Sequence, residues 1–211
     1  MSQRFIETPP SRPRIIGIAG ASGSGKTFLA RHIAASIGAP VLSIDSYYCE
    51  LGHISLEERA RWNFDHPDAL DWPLLREQLC RLGRGLPVDV PVYDFATHTR
   101  SSQCTRLQTN GFLVLEGIFA LYDEEVRRML AVGIFVDFGN DGCFERRLAR
   151  DVAERGRTPE CVARQYTQTV RPMYTEFIAP TRAHAQVVID GDAPAKASLA
   201  AIRGALNLAP A

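Results

Sequence analysis

Gly20-Ala21-Ser22-Gly23-Ser24-Gly25-Lys26-Thr27 is the stretch of this chain with the most chemistry in it. It fits the pattern GxxxxGK[ST] in full, with an apolar run before it and helical spacing after it, the context that pattern requires. Glycines at these positions let backbone N–H groups converge on phosphate oxygens, and the N-terminus of the following helix adds partial positive charge. Lys26 would reach the β and γ phosphates of a nucleoside triphosphate, and the Thr27 hydroxyl would ligate Mg²⁺. Of the 24 Lys and Arg residues only Lys26 and Lys196 are lysines, so a lysine in a glycine loop carries information that an arginine elsewhere does not. The competing reading is a glycine-rich turn that binds nothing. The pattern speaks for nucleotide binding but leaves open what receives the phosphate.

Several other positions have acceptor-side chemistry, each with a plainer alternative. Asp45, in SIDSYY, ends a short apolar run, where a carboxylate can take a proton from an attacking hydroxyl or can cap a turn. Glu116, in LVLEGI, stands at the end of another such run and can hold Mg²⁺ or brace the glycine loop as a buried acid. Tyr93, Phe95 and His98, in VPVYDFATHTR, can stack on a flat base and hydrogen-bond its edge, or can simply be core and surface residues. Arg146, Arg147, Arg150, Arg155 and Arg157 crowd RRLARDVAERGR, which suits a lid that closes over phosphate or a solvated helix face. In Asn63-Phe64-Asp65-His66-Pro67-Asp68, two carboxylates and an imidazole lie within four residues: a metal site, a polar clamp or a solvated turn.

The elements that must position these groups alternate. Strands are expected at Ile15–Ala19, Val41–Ile44, Phe112–Leu115, Ile134–Val136 and Val187–Ile189, and helices at Phe28–Ile37, Trp72–Leu82, Glu124–Leu130, Phe144–Glu154 and Ala195–Leu206. Glu57–Trp62 reads as a helical turn. Glu160–Ala183 reads as a long helical stretch bent or broken by Pro172 and Pro180. The pattern is that of an α/β fold with a parallel sheet and helices on both faces. Val88–Tyr93 and Thr105–Gln108 break the alternation and are expected to pair as a hairpin across a polar segment.

Composition sets outer limits. Length suits one domain, over 14–211, and the first 13 residues, rich in Pro, Arg and Ser, read as a flexible N-terminal tail. A formal net charge of zero gives no electrostatic footprint for nucleic acid or an anionic membrane. Cys49, Cys80, Cys104, Cys143 and Cys161 are odd in number and form no CxxC pair, which argues for a cytoplasmic home over a disulfide framework. No apolar run is long enough for a bilayer, and no signal-peptide core is visible.

In their order, GASGSGKT, SIDSYY, NFDHPDALD, VPVYDFATHTR, LVLEGIFAL, RDVAERGR and QYTQTVRPMYTEFIAPT resemble the uridine kinase (uridine–cytidine kinase) family of P-loop kinases, from about Ile15 to Ile189. The resemblance implies a P-loop kinase with a central parallel sheet flanked by helices, a small β-hairpin insertion over about 88–108 and a helical lid over about 142–183. It implies transfer of the γ-phosphoryl of ATP, or GTP, with Mg²⁺, to the 5′-hydroxyl of uridine or cytidine in pyrimidine salvage. Residue by residue, it makes Asp45 the general base and has Lys26, Arg150 and Arg155 serve the phosphates. It puts Asp65 on the ribose 2′ and 3′ hydroxyls, with Phe64 lining that pocket. Tyr93 and Phe95 flank the pyrimidine, His98 meets its exocyclic edge, and Arg147, Arg157 and Gln165 complete the nucleoside site. Thr27 and Glu116 serve Mg²⁺. A homotetramer is implied by the resemblance only. The chain departs from the family in its short stretch between Lys26 and Asp45 and in AQVVIDGDAP, where the family tends to read ADxIIPRGG. The rivals are a P-loop kinase for phosphoribulose or pantothenate, and a nucleotide sensor without catalysis.

Overall fold

A run such as Ile15-Ile16-Gly17-Ile18-Ala19 has no polar face, so it is stable only as a strand covered on both sides. In the computed structural model, which describes residues 12–208, it forms the centre of the sheet. The expected N-terminal tail lies, up to residue 11, outside the described residues. The strands are β1 (Arg14–Gly20), β2 (Val41–Ser43), β3 (Val88–Asp94), β4 (Thr99–Leu107), β5 (Phe112–Glu116), β6 (Leu130–Asp137) and β7 (Val187–Asp190). The helices are α1 (Lys26–Ile37), α2 (Leu56–Ala60), α3 (Trp72–Leu82), α4 (Glu124–Met129), α5 (Asn140–Arg155), α6 (Pro159–Gln165), α7 (Arg171–Met173) and α8 (Ala195–Ala205).

The main sheet has the order β2-β5-β1-β6-β7 and every pairing in it is parallel. Successive β1 residues serve opposite faces, as strand geometry demands. Ile15 and Ala19 join a core with Tyr47, Leu75, Leu79, Phe119 and Phe135, beneath α3 and α4. Ile16 and Ile18 join a second core with Leu29, Ile33, Val114, Ile134 and Ile202, beneath α1 and α8. The register puts Glu116 beside Ile18 and Ser43. The carboxyl ends of β1, β5 and β2 therefore deliver the glycine loop, Glu116 and Asp45 to one edge of the sheet, the crevice where ligands of open α/β sheets bind.

β6 and α5 begin four residues earlier than expected, at Leu130 and Asn140, and two further stretches differ more. β4 runs from Thr99 and not from Thr105. Its middle residues are exposed, so TRSSQC carries none of the apolar alternation that marks a half-buried strand; pairing with β3 holds it extended. The stretch after Pro159 keeps right-handed helical backbone through Pro172. It does so by passing into π-helical turns at Tyr166–Val170 and Tyr174–Ile178, and ends in a 3₁₀ turn, Ala179–His184, that contains Pro180. Wider turns on either side accommodate the missing N–H of Pro172 without a break.

Asp71 caps α3 by accepting the Leu74 N–H at 3.1 Å, and its other oxygen pairs with Arg100 of β4 at 3.1 Å, tying the hairpin to the main body. Asp71→Ala is expected to lower unfolding stability by about 1 kcal/mol or somewhat more, since cap and ion pair go together. Chemical denaturation at neutral pH measures it.

Candidate active site

The glycine loop joins β1 to α1. Gly23 (φ 90°) and Gly25 (φ 95°) occupy the left-handed region that glycine adopts without strain, the backbone that a phosphate-binding loop requires. Lys26 is buried, and its ammonium is shifted below its usual range. Burial is the main cause; Glu116 and Asp45 oppose it, while Arg150 and Arg147 add to it. The Thr27 hydroxyl donates to one Glu116 oxygen at 3.1 Å and the Ser43 hydroxyl to the other at 3.1 Å. Ser24 Oγ is buried without a hydrogen-bond partner. Left-handed glycines, a buried cation and a Thr–Glu pair together form a donor set suited to triphosphate and Mg²⁺. Thr27 and Glu116 would hold the metal. Gly23, Gly25 and Lys26 line the cleft, whereas Gly20 packs behind it against β6 and Ser24 does not line it.

A cleft of about 1070 Å³ opens beside this loop. Ser22, Asp45, Phe64, Asp65, Tyr93, Phe95, His98, Glu116, Arg147, Arg150, Arg157 and Gln165 all line it, so the positions singled out in the sequence converge on one space. The Arg155 side chain lies outside the described ones. Asp45 sits in the 3₁₀ turn Ile44–Tyr47 just past β2, and its carboxylate does not cap that turn. It lines the cleft together with Lys26, Asp65, Tyr48 and Tyr93 and bears electrostatically on all four.

The stretch NFDHPD separates its own groups. Asp65 is buried, with its N–H donated to the Asn63 side chain at 3.2 Å, and its carboxylate is 3.9 Å from Arg147. Burial raises its pKa; Arg147 opposes this, and Asp45 reinforces it. His66 turns away, accepts the Asp68 N–H through Nδ1 at 3.2 Å and packs edge-on against Phe177. The Asp68 side chain stands 89% exposed. The two carboxylates do not converge on one point.

The wall opposite is aromatic. The Tyr93 ring lies 5.2 Å from Tyr48 and 5.2 Å from Phe95, and His98 stacks on Phe64 with centroids 5.1 Å apart. His98 holds a positive φ of 51° at the hairpin tip, a conformation supported by Asp94, which accepts from Ala96 N–H and from the Thr97 hydroxyl. Partial burial and Arg157 lower the imidazole pKa, favouring the neutral ring that can both donate and accept. Tyr93 Oη is buried without a partner.

Arg147 of α5 donates to Ser22 Oγ at 2.9 Å and to Gln165 Oε1 at 3.0 Å, so it is no solvated-face arginine. Arg157 donates to the same Gln165 oxygen at 2.6 Å. Two residues of this site went unread in the sequence. Tyr48 is a buried wall residue touching Phe64 and Tyr93; the signal was its place three residues after Asp45. Asp151, fully buried among arginines, was hidden inside an arginine run.

A parallel sheet with a GxxxxGK[ST] loop, an acid at the next strand end and arginines of α5 lining the same cleft define a P-loop phosphotransferase. The Phosphoribulokinase / Uridine kinase family matches residues 15–195, and the chain belongs to that family. It is 49% identical over 181 residues to a uridine kinase of Deinococcus deserti, covering 84% of this chain and 87% of that one. It is 47% identical over 182 residues to a uridine kinase of Chloroflexus aurantiacus, covering 85% and 87%. Among solved structures, phosphoribulokinase from Rhodobacter spheroides shares the fold, with a TM-score of 0.63 at 17% identity over 85% of this chain and 70% of that one. No helix among the described residues is long and apolar enough to cross a membrane.

Proposed function

We propose that the chain phosphorylates the 5′-hydroxyl of uridine, cytidine or both at the expense of ATP, giving UMP or CMP. The observation that carries this reading is the aromatic wall of Phe64, Tyr93, Phe95 and His98 standing across the cleft from Asp65 and Asp45, beside the phosphate loop. A flat neutral base fits between such rings. The four side chains of that wall are all rings, where a sugar phosphate would call for cations. The names of the curated relatives support the same substrate class.

In this reading Asp65 accepts from the ribose 2′ and 3′ hydroxyls, and Arg147, 3.9 Å away, keeps its carboxylate oriented. Asp45 takes the proton of the 5′-hydroxyl as that oxygen attacks the γ-phosphorus in line. Lys26, Arg150 and Arg155 meet the charge that spreads over the transferring group. Mg²⁺ held by Thr27 and Glu116 would neutralise phosphate charge. His98 can donate to a uracil oxygen or accept from a cytosine amine. GTP as an alternative donor belongs to the same proposal, and the five free cysteines support a reducing compartment, the cytoplasm.

The test is ADP release measured across uridine, cytidine, 2′-deoxyuridine, adenosine and pantothenate, with ATP and then GTP. Pyrimidine ribonucleosides should give turnover. If pantothenate is the better acceptor, or if no acceptor stimulates release, the reading fails.

Asp65 supplies a sharper prediction. Asp65→Asn should raise the KM for uridine about 10- to 150-fold, the loss of one charge-assisted hydrogen bond, and should shrink the preference for ribose over deoxyribose. The sign with pH follows from burial. A raised pKa means that this carboxylate protonates at a higher pH than an exposed Asp would. Uridine KM in the parent should therefore begin to climb, as pH falls, at a higher pH than an exposed Asp would give, and that climb should be absent from Asp65→Asn. For stability the same group works the other way: above 3.8 the folded state holds the proton longer than the unfolded chain, so its contribution falls as pH rises through the folded value.

A further inference from the structure

We infer that Asp151 is a positioning residue that aims the lid arginines Arg147, Arg150 and Arg157 into the cleft before either substrate arrives. This rests on the kinase reading above and adds a residue that the reading does not use.

Asp151 has 0% exposure, on α5 one turn past Arg147. An isolated carboxylate cannot be buried in this way, because it would take up a proton or expel itself. Here both oxygens are occupied by guanidinium groups. Oδ1 accepts from Arg150 Nε at 2.9 Å and Nη2 at 2.8 Å. Oδ2 accepts from Arg157 Nη1 at 3.3 Å and lies 3.6 Å from Arg147 Nε.

Arg147 turns its Nε edge to this anion while its two Nη nitrogens meet the site, Arg150 gives it Nε and Nη2, and Arg157 bridges from it to the site through a single Nη1. Arg147 Nη1 reaches Ser22 in the phosphate loop, Arg147 Nη2 and Arg157 Nη1 share Gln165, and Arg150 lines the cleft. The planar fork makes this division of labour possible, since fixing one edge fixes the direction of the other.

The backbone of Asp151 adds to the arrangement. Its carbonyl accepts the N–H of Gly156, which sits at φ 62°, and that of Arg157 at 3.2 Å. The two bonds end α5 and fold the chain back, so that Arg157 returns to the same carboxylate that Arg150 meets from within the helix. One residue therefore fixes both the turn of the lid and the aim of its cations.

Two plainer roles make different forecasts. If Asp151 only tempered local charge, removing its charge would strengthen the positive field near the phosphate loop and tighten donor binding. If it only filled space, the isosteric Asp151→Asn would be harmless and the longer Asp151→Glu would be worse.

The test combines kinetics with the nitrogen-15 spectrum of the arginine Nε–H groups in the full chain. In the parent, the Arg150 Nε–H should be shifted and protected from exchange; rapid exchange like that of an exposed arginine overturns the inference on its own. Asp151→Asn should lower kcat about 100-fold, the cost of misaimed groups, with no fall in donor KM and with loss of the Arg150 signal shift. Asp151→Glu should regain part of that turnover. Parent-like kcat in Asp151→Asn, or Asp151→Glu slower than Asp151→Asn, sinks it. A parent that turns over no nucleoside would refute the proposed function instead, and the arginine spectra would still judge Asp151.

Discussion

Asp45→Asn is expected to lower kcat about 10²- to 10⁴-fold, the range a positioned general base contributes, while uridine KM stays nearly unchanged. Three observations lead there. The carboxylate stands in the turn just past β2, at the sheet edge that also carries the phosphate loop and Glu116. It is not engaged in capping that turn, the plainer use open to an Asp in SIDSYY. And it lines one cleft with the buried Lys26 and with Asp65, so in the proposed reading a hydroxyl that reaches it from the ribose side is already near the phosphates. The amide keeps the shape and can still donate a hydrogen bond, but it cannot take a proton. Ribose and base contacts, made by other side chains, should survive. Steady-state kinetics with uridine varied at saturating ATP, beside calorimetric binding of uridine to the variant, separates the two quantities. A variant that turns over near the parental rate would show that the base lies elsewhere; one that merely binds uridine poorly would make Asp45 a binding group.

How much of this was legible in the chain depends on what each residue had to satisfy. The phosphate loop is readable because close backbone approach to phosphate demands glycine, and Gly23 and Gly25 indeed hold left-handed φ values. The buried strands are readable because IIGIA and FLVLE are too apolar for any exposed face. Asp65 stood out only as part of NFDHPD, a metal site, a clamp or a solvated turn, and the fold decides for a buried carboxylate. Asp151 did not, because in an arginine-rich run an Asp looks like one more surface ion pair; only the fold reveals that its neighbours all turn toward it. Tyr48 drew no reading, because a tyrosine beside apolar residues carries no sign of its own that it forms the wall of a cleft. β4 was half hidden because a strand exposed on both faces leaves no periodic trace. Pro172 looked like a stop because the rule for helix interiors assumes a regular ladder, and here the ladder is already irregular on both sides.

Lys26→Met is expected to lower kcat about 10²- to 10³-fold, as losing a preorganised donor to developing charge does elsewhere, without lowering the thermal midpoint. The second half follows from burial. Lys26 is held as a cation inside the fold against a desolvation penalty that is the largest influence on its pKa, only in part offset by Glu116 and Asp45. An apolar side chain of similar length removes that penalty, and replacing a buried charge by a hydrophobic group is often neutral or stabilising. The sign with pH is fixed as well. The folded pKa lies below the usual 10.5, so between those two values the unfolded chain carries more protons, and the lysine's contribution to stability rises with pH across that window. In Lys26→Met that alkaline rise should vanish, leaving a flatter stability profile than the parent's. Thermal unfolding followed from neutral to alkaline pH, alongside kcat, tests both halves. A variant that is slow and also markedly less stable would mean that Lys26 holds the empty loop together, and its loss of rate would then say little about transition-state charge.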